Sequence, residues 1–525
     1  MAIRRELSGR LPLVEDARHS LLRIRSHNLA KLEKHIYQRY PNWEWGTFFD
    51  FGYRRTAWGL ALSYVDGFWP HRGDMDRRVG LTRFLDQYSR RAFHHAAESP
   101  LAVGVVHSHP EGCGTFPSPT DDDMDNYFAR EFAAYGNGKP YCSLVLRRNS
   151  DTGFSFTGRV YDRGEWFSLE KLISVGETVE LFSSQVNEPD QITEEIVNET
   201  HARLISLLGV PSAARLRRSN VGIIGCSGTG SPAAHVLARA GVGNFVLVDP
   251  QRFDDSNLER LHGSQWEHVE HNSKPYKVEL VGALISSINP NASITAFAGN
   301  ILHDNVLDEL LRCDLLIGCT DTQHARAKLS DVAKHYLLPS LDLGVLMEGQ
   351  ADKVTSQVCD ITVYSPDLPC AFCIARIDGV ELSYELMSEE ERARRQLEAA
   401  EAIERGDDPD QYWRHRPRQL HTVGYLTTML GALGAGYAEG LLTGTFGPPH
   451  SWFQLDVGRG RFGVVTPPRE RLNGCSCGQY LGWGDAANPY RNVVKPGHWP
   501  NRALLLACAT TSSLDSVRSL SRFSG

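Results

Sequence analysis

The run GVVHSHPEGCGTFPSPTDDDMD sets His107 and His109 two residues apart at the end of an apolar, strand-like segment. Side chains along a strand alternate between faces, so both imidazoles leave the same side of the sheet. Two such rings can hold one zinc ion. The Pro- and Gly-rich loop that follows delivers Ser118 and then Asp121, which stands at the start of the helix DDDMDNYFARE and can supply an oxygen ligand. Three protein ligands leave a fourth position for water, which is how a catalytic zinc is built. Farther along, in RRSNVGIIGCSGTGSPAAHVLARAGVGNFVLVDPQRF, an apolar strand meets a turn containing Gly225, Gly228 and Gly230, a helix follows, and a second strand ends at Asp249. Backbone N–H groups at such a helix start hold phosphates, and the acid at the tip of the next strand holds a ribose. On this arrangement alone an NAD dehydrogenase is the default. Cys370 and Cys373 form a C-x-x-C, and Cys475 and Cys477 make a closely spaced pair about a hundred residues later. Two thiolate pairs can close a tetrahedral, structural zinc site that staples distant segments.

The first pattern resembles the zinc-dependent JAB/MPN (JAMM) family of isopeptidases, whose motif runs glutamate, then His-x-His-Pro, then Ser-x-x-Asp. The resemblance implies that His107, His109 and Asp121 bind zinc, that Ser118 helps stabilise an oxyanion, and that an upstream glutamate activates water. Glu44, in NWEWGTFF, fits that last role, because the family's glutamate opens the first strand after the first helix, just before a glycine-containing apolar run. Such a carboxylate takes a proton from water and passes it to the leaving amine. Eleven residues separate His109 from Asp121, one more than is usual in the family, and the glycines of EGCGTFP can absorb the extra residue. Asp122 and Asp123 are the fallback ligands.

The second pattern continues in VDPQRFDDSNLERLHG, NSKPYKVELVGALISSINPNA and DLLIGCTDTQHARAKL, which do not suit a dehydrogenase. In order and spacing these segments resemble the ThiF/ubiquitin-activating superfamily. The resemblance implies that Asp249 holds the ribose of ATP, that Asn257, Arg260 and Lys277 contact its phosphates, and that Asp321 positions magnesium and the triphosphate. It also implies that Arg203, in ETHARLISLLG, reaches a phosphate across a homodimer. Cations and magnesium offset the charge that builds as a carboxylate attacks the α-phosphate. Ser227 stands where the family has a turn glycine, and Leu261 where it has glutamine. Many members carry a structural zinc of the kind the four cysteines allow; here the second pair is one residue tighter.

Ubiquitin-activating members take the activated carboxylate onto a cysteine just before a glycine-rich helix, here HTVGYLTTMLGALGAGYAEGLLTG. That place holds Leu420, His421 and Thr422. Cys226 and Cys319 suit buried packing in the nucleotide fold, and Cys359 is a further candidate. The enzyme either hands on the acyl-adenylate directly, or forms an ester on a hydroxyl such as Thr422, or uses a cysteine that its position does not reveal; the first two are favoured.

Two α/β domains are needed to position these residues. In HNLAKLEKHIY, Leu29, Leu32 and Ile36 mark one helical face. WEWGTFFDFG, AWGLALSYVD, LAVGVVHSH and YCSLVLRR read as strands, which gives a mixed α/β JAB/MPN-like domain over 15–165. Residues 166–200 read as a linker, and a Rossmann-like, ThiF-type adenylation domain with a mainly parallel sheet fills 201–480. An exposed helical insertion at about 380–415 carries Ser388 and Glu391 at capping-box spacing, with Glu390/Arg394 and Glu391/Arg395 four apart. The tail, 481–525, holds the apolar run ALLLACA and no chemical pattern.

The 525 residues carry 55 basic and 63 acidic side chains, a net charge of −8, which excludes a partner held by bulk positive charge, nucleic acid above all. No run reaches the roughly 18 apolar residues that span a bilayer, and the N-terminus has no apolar secretion segment, which points to a cytoplasmic protein without a membrane anchor. Eleven cysteines, only four of them in close pairs, suit metal binding and buried thiols rather than a disulfide frame. Together the resemblances imply a bifunctional enzyme of a bacterial ubiquitin-like pathway. It would adenylate the C-terminal glycine of a small β-grasp protein with ATP and Mg2+, cut amide bonds at that terminus with zinc, and work beside a conjugating-enzyme-like protein. Activation and processing of a sulfur carrier for cofactor or metabolite synthesis is the alternative. A non-catalytic JAB module that only docks the modifier is a third.

Overall fold

In the computed structural model, residues 19–78, 81–149, 153–184, 201–350, 353–407, 422–448, 450–465, 470–472, 475–487 and 504–507 are described. The aromatic and β-branched runs of the first third pair into an eight-stranded sheet. Its order is His19–Arg25, Gly59–Phe68, Trp45–Thr56, Ala102–Ser108, Tyr141–Asn149, Gly153–Asp162, Glu165–Val175 and Val179–Ser183. Because His19–Arg25 also pairs in parallel with Glu165–Val175, the sheet closes on itself. Strand Ala102–Ser108 is buried along its whole length, which its run of apolar residues requires. It meets Trp45–Thr56 antiparallel, with Gly46 opposite His107, and Tyr141–Asn149 in parallel. Helix Ser26–Ile36 lays Leu29, Leu32 and Ile36 into the core, as their spacing predicts. Helices Asp86–Glu98 and Pro119–Tyr135 contribute Phe93, Phe128 and Phe132 to a second cluster with Phe48; burying each such ring is worth about 1.5–3 kcal/mol.

The first domain outruns the boundary expected at 165. Strands Glu165–Val175 and Val179–Ser183 occupy the stretch expected to be linker, and Trp166, Phe167, Leu169, Leu172 and Ile173 are buried there. The acidic composition that suggested a linker begins only at Glu188, and 185–200 lie outside the described residues.

The second domain is built on parallel strands Asn220–Ile224, Asn244–Val248, Ser293–Ala298, Leu315–Gly318 and Ser340–Gln350. Asn220–Ile224 lies between Asn244–Val248 and Leu315–Gly318, so the strand order reverses there, the point at which an open α/β sheet leaves a ligand crevice beyond its strand ends. The sheet departs from the expected mainly parallel arrangement, because four antiparallel pairings on its flanks equal the four parallel ones at its centre. One flank is Lys353–Tyr364, Trp452–Asp456 and Arg461–Val465; the other is Leu504–Ala507, from the apolar run of the tail. The insertion forms helices Gly379–Leu386 and Glu389–Glu404, the second capped by Ser388, and its expected end at 408–415 lies outside the described residues. Among the described residues no helix is long and apolar enough to cross a membrane.

The two domains are joined by buried contacts. Leu21, Trp58 and Ala61 share one apolar cluster with Ile224, Val246 and Leu316. Arg23, wholly buried, donates to the carbonyls of Leu311 and Cys313 at 2.7 Å each. Arg54 reaches Asp304, Asp308 and Asp485 at 2.9, 2.6 and 3.1 Å.

Candidate functional site

The strand alternation of Ala102–Ser108 carries straight into the first site. Ser108 points to one face and donates to the carbonyl of Ile36 at 2.8 Å, while His107 and His109 are buried on the other. Their Nε2 atoms lie 3.3 Å apart, and Asp121 places Oδ1 3.3 Å from His107 Nε2 and Oδ2 3.6 Å from His109 Nε2. Tetrahedral ligands at a zinc–nitrogen distance of about 2.0–2.1 Å stand about 3.3 Å from one another, so the three donors fit one zinc ion. His109 Nδ1 donates to the carbonyl of Gly114 at 2.5 Å, which leaves Nε2 as the lone-pair nitrogen. Burial opposes a charge on Asp121, yet the imidazoles of His107 and His109 beside it hold its carboxyl far below the ordinary range.

Asp121 reaches this position through a helix cap. Ser118 is the N-cap of Pro119–Tyr135: its Oγ accepts from Asp121 N at 3.3 Å, and Asp121 Oδ2 accepts from Ser118 N at 2.6 Å. The fallback acids are placed elsewhere. Asp122 is held by Arg159 at 2.5 Å, and Asp123 is exposed. Glu44 is half-buried one residue before Trp45, which pairs with Ser108, and its charge bears on His107. Gly46 was not singled out by sequence, although a Cβ there would stand 2.9 Å from His107 Cβ and 2.6 Å from the carbonyl oxygen of Val106. Its signal was the glycine inside an otherwise bulky run, which only the strand register explains.

The second site surrounds the glycine turn. Gly225 has φ +93°, and a Cβ there would lie 2.5 Å from the carbonyl oxygen of Cys319, so the turn and the Cys319–Asp321 loop touch. Helix Gly230–Arg239 starts at the third glycine, and a Cβ on Gly228 would meet Arg260 Cδ at 3.0 Å. Asp249 is buried at the end of its strand, with both oxygens accepting backbone N–H bonds, from Cys226 and from Gln251, at 2.8 Å each. Burial pushes its carboxyl up against the opposing pull of Lys277. Lys277, also buried, donates to Gln251 Oε1 at 2.6 Å, so Gln251 links two candidates that sequence named without it. Asn257 is buried and accepts from Asp254 N at 3.1 Å. Asp321 is exposed just past strand Leu315–Gly318, within electrostatic reach of Asp249. Among the described residues Arg203, exposed on helix Ala202–Leu208, makes no hydrogen bond or ion pair to the other nucleotide-site candidates.

Thr422 sits against this crevice, its carbonyl accepting from Arg260 at 3.4 Å, while Leu420 and His421 lie outside the described residues. Cys226, Cys319 and Cys359 all have thiols pushed up by burial, which removes the thiolate a nucleophile needs. The remaining cluster draws Cys370, Cys373, Cys475 and Cys477 together, with sulfur separations of 3.5, 3.7 and 3.8 Å. A disulfide is about 2.0 Å long, whereas sulfurs at about 2.3 Å from one tetrahedral zinc stand about 3.8 Å apart, so the four fit a structural zinc.

The ThiF family profile matches residues 200–477, more than half of the chain. Adenylyltransferase and sulfurtransferase UBA4 of Kluyveromyces lactis is 32% identical over 156 residues, covering 30% of this chain and 33% of that protein. SAMP-activating enzyme E1 of Haloferax volcanii is 29% identical over 167 residues, covering 32% and 57%. Adenylyltransferase and sulfurtransferase MOCS3 of Drosophila grimshawi is 28% identical over 212 residues, covering 39% and 45%. The chain thus spans from a third to under three-fifths of these relatives' lengths. Among solved structures, E. coli MccB with MccA-N7isoASN superposes at a TM-score of 0.41 with 16% identity, over 54% of this chain and 76% of that one. The matched span runs from helix Ala202–Leu208 through the glycine turn, Asp249, Lys277 and Asp321 to Cys477, and the chain belongs to the ThiF family.

Proposed function

We propose that the second domain adenylates the C-terminal glycine of a small ubiquitin-like protein, and that the first domain cuts amide bonds at that same terminus. For adenylation, the observation that carries the reading is the convergence of Asp249, Lys277, Arg260 and Asp321 on the glycine turn of a family member. Asp249 holds the ribose. A carboxylate oxygen of the modifier bonds to the α-phosphorus of ATP as the bond to pyrophosphate breaks, and Asn257, Arg260 and Lys277 offset the charge that builds there. Asp321 faces the magnesium that ATP brings, and Arg203 serves the partner subunit of a homodimer.

For cleavage, His107, His109 and Asp121 hold zinc, which when bound polarises the scissile carbonyl and eases deprotonation of water. Glu44 accepts that proton and delivers it to the leaving amine, while Ser118 donates to the developing oxyanion. Cys370, Cys373, Cys475 and Cys477 hold the structural zinc. The raised thiols of Cys226 and Cys359, both buried, and of the partly buried Cys319 favour release of the acyl-adenylate to a partner such as a conjugating-enzyme-like protein, or an ester on Thr422, over a thioester. A second reading, sulfur-carrier activation, is favoured by the sulfurtransferase names of UBA4 and MOCS3. Its product would be a thiocarboxylate rather than an isopeptide conjugate, and mass spectrometry of the modifier tells the two apart.

With a panel of ubiquitin-like proteins ending in glycine, Glu44→Gln abolishes cleavage and leaves ATP–pyrophosphate exchange intact, and Asp321→Ala does the reverse. Loss of both activities in each variant would overturn the two-site assignment. A wild type as inactive as Glu44→Gln at full zinc occupancy would make the first domain a docking module.

A further inference from the structure

The inserted helices, which neither proposed reaction uses, meet the nucleotide crevice at one point. Helix Gln323–His335 begins two residues after Asp321, and its first turn has neither an acidic residue nor a side-chain cap from Thr322. The open N–H groups are taken instead by Glu385, from helix Gly379–Leu386. Gln323 N donates to Oε1 at 2.8 Å and His324 N to Oε2 at 2.7 Å. Both bonds are charge-assisted, and the helix dipole favours an anion at this end. The contact is returned, because Asp378 N donates to the Gln323 side chain at 3.1 Å while the Asp378 carboxylate caps the Glu385 helix. Arg392, from the second inserted helix, donates to the Glu385 carbonyl at 3.1 Å, and Ile377 packs against the buried cluster shared by the domains. The insertion is therefore clasped to the helix start rather than set apart in solvent.

Asp321 itself is exposed, and the loop before it is held by Cys319 N, which donates to the Ile224 carbonyl at 2.7 Å, and by Arg326, which donates to the Thr320 carbonyl at 3.3 Å. On the other side of Asp321 the chain is fixed by whatever fixes Gln323 and His324.

We propose that Glu385 is a positioning residue for nucleotide binding: by holding the N–H groups of Gln323 and His324, it sets where Asp321 presents its carboxylate to the magnesium of MgATP. This rests on the reading of Asp321 given above. The contact is indirect, so its mark is a changed metal requirement rather than loss of the site.

ATP binding by the full chain, followed over a titration of Mg2+, tests it without any protein substrate. Glu385→Ala raises the Mg2+ concentration at half-maximal ATP binding about tenfold, as loss of a partner behind a metal ligand does, and binding recovers at saturating Mg2+. Glu385→Gln, which keeps an acceptor oxygen, falls between. Glu385→Asp keeps the charge and draws it back by one methylene; it shifts the midpoint in the same direction and serves where the alanine variant does not fold. A wild-type Mg2+ midpoint in the folded variants overturns the proposal. Asp321→Asn separates the two levels: if it shifts the midpoint and the Glu385 variants do not, only the positioning role is refuted, and if it shifts nothing, the reading of Asp321 falls with it.

Discussion

Four acids crowd the first two turns of helix Pro119–Tyr135, and what faces each one decides its use. Asp121 meets two imidazoles and Asp123 meets solvent, whereas Asp122 and Asp125 share the buried guanidinium of Arg159, each at 2.5 Å. Arg159→Met would leave two buried carboxylates without their cation, a loss of about 3–5 kcal/mol in denaturant unfolding of the full chain. Adding Asp122→Asn and Asp125→Asn restores most of it; a loss below about 1 kcal/mol in the single variant would show that the carboxylates are solvated. Glu439 makes the opposite case on helix Gly424–Thr443, where burial pushes its carboxyl up to about 7. Its folded-state pKa lies above the unfolded one, so the folded chain keeps the proton longer, and stability falls as pH rises from about 4.5 to about 7. Glu439→Gln removes that slope and stabilises the chain above pH 7 by about 2 kcal/mol, read as the difference between urea midpoints at pH 5 and pH 8. The His-x-His pair and the place of Asp121 at the start of its helix were legible in sequence because both depend on spacing within one element; that Ser118 caps this helix was not read from it. Arg159 was not, because its partners lie across the fold.

Strand Trp45–Thr56 shows the same limit one level up. Its start follows Glu44, and near its other end Gly52 N donates to Gly482 O at 3.1 Å while Tyr53 bridges to Gly484. Gly482 and Gly484 also donate to the carbonyls of Lys334 and His335 at 2.9 and 2.8 Å. This strap begins a few residues after Cys475 and Cys477, so the zinc proposed for the four cysteines pins a segment that lies between the domains. Sequence showed the cysteine pairs but found no chemical pattern in the tail beyond its apolar run, since a strap made of backbone bonds leaves no residue pattern. The expected linker failed for a related reason: strands Glu165–Val175 and Val179–Ser183 owe their place to a closed sheet, and closure is a property of register. Cys477→Ser, or zinc removal by a chelator, frees the strap and speeds amide hydrogen exchange at Gly52 about tenfold, while amides in the middle of Ala102–Ser108 keep their protection. Unchanged exchange at Gly52 would mean that the strap stands without the metal.

At the scale of the whole molecule, the motifs of sequence describe two enzymes and the structure one body. Separate domains in a chain usually meet through modest polar surfaces. Here Trp58 and Leu21 enter a cluster made mostly by the second domain, Arg23 is wholly buried against the carbonyls of Leu311 and Cys313, and Arg54 is encircled by Asp304, Asp308 and Asp485. None of these residues belongs to a motif, so the coupling was invisible to any pattern search. Residues that complete a junction are chosen for fit and charge balance, not for chemistry. The junction makes unfolding cooperative across the two sites: heating the wild-type chain gives one calorimetric transition, because neither sheet can be exposed without uncovering the other's apolar face. Arg54→Met leaves three carboxylates facing a methyl group, at a cost of about 3 kcal/mol. The calorimetric trace then separates into two transitions, and the first affects the proposed cleavage and the proposed ATP binding unequally. Two transitions already present in the wild type would show instead that the domains are merely tethered, and that each site depends on its own sheet alone.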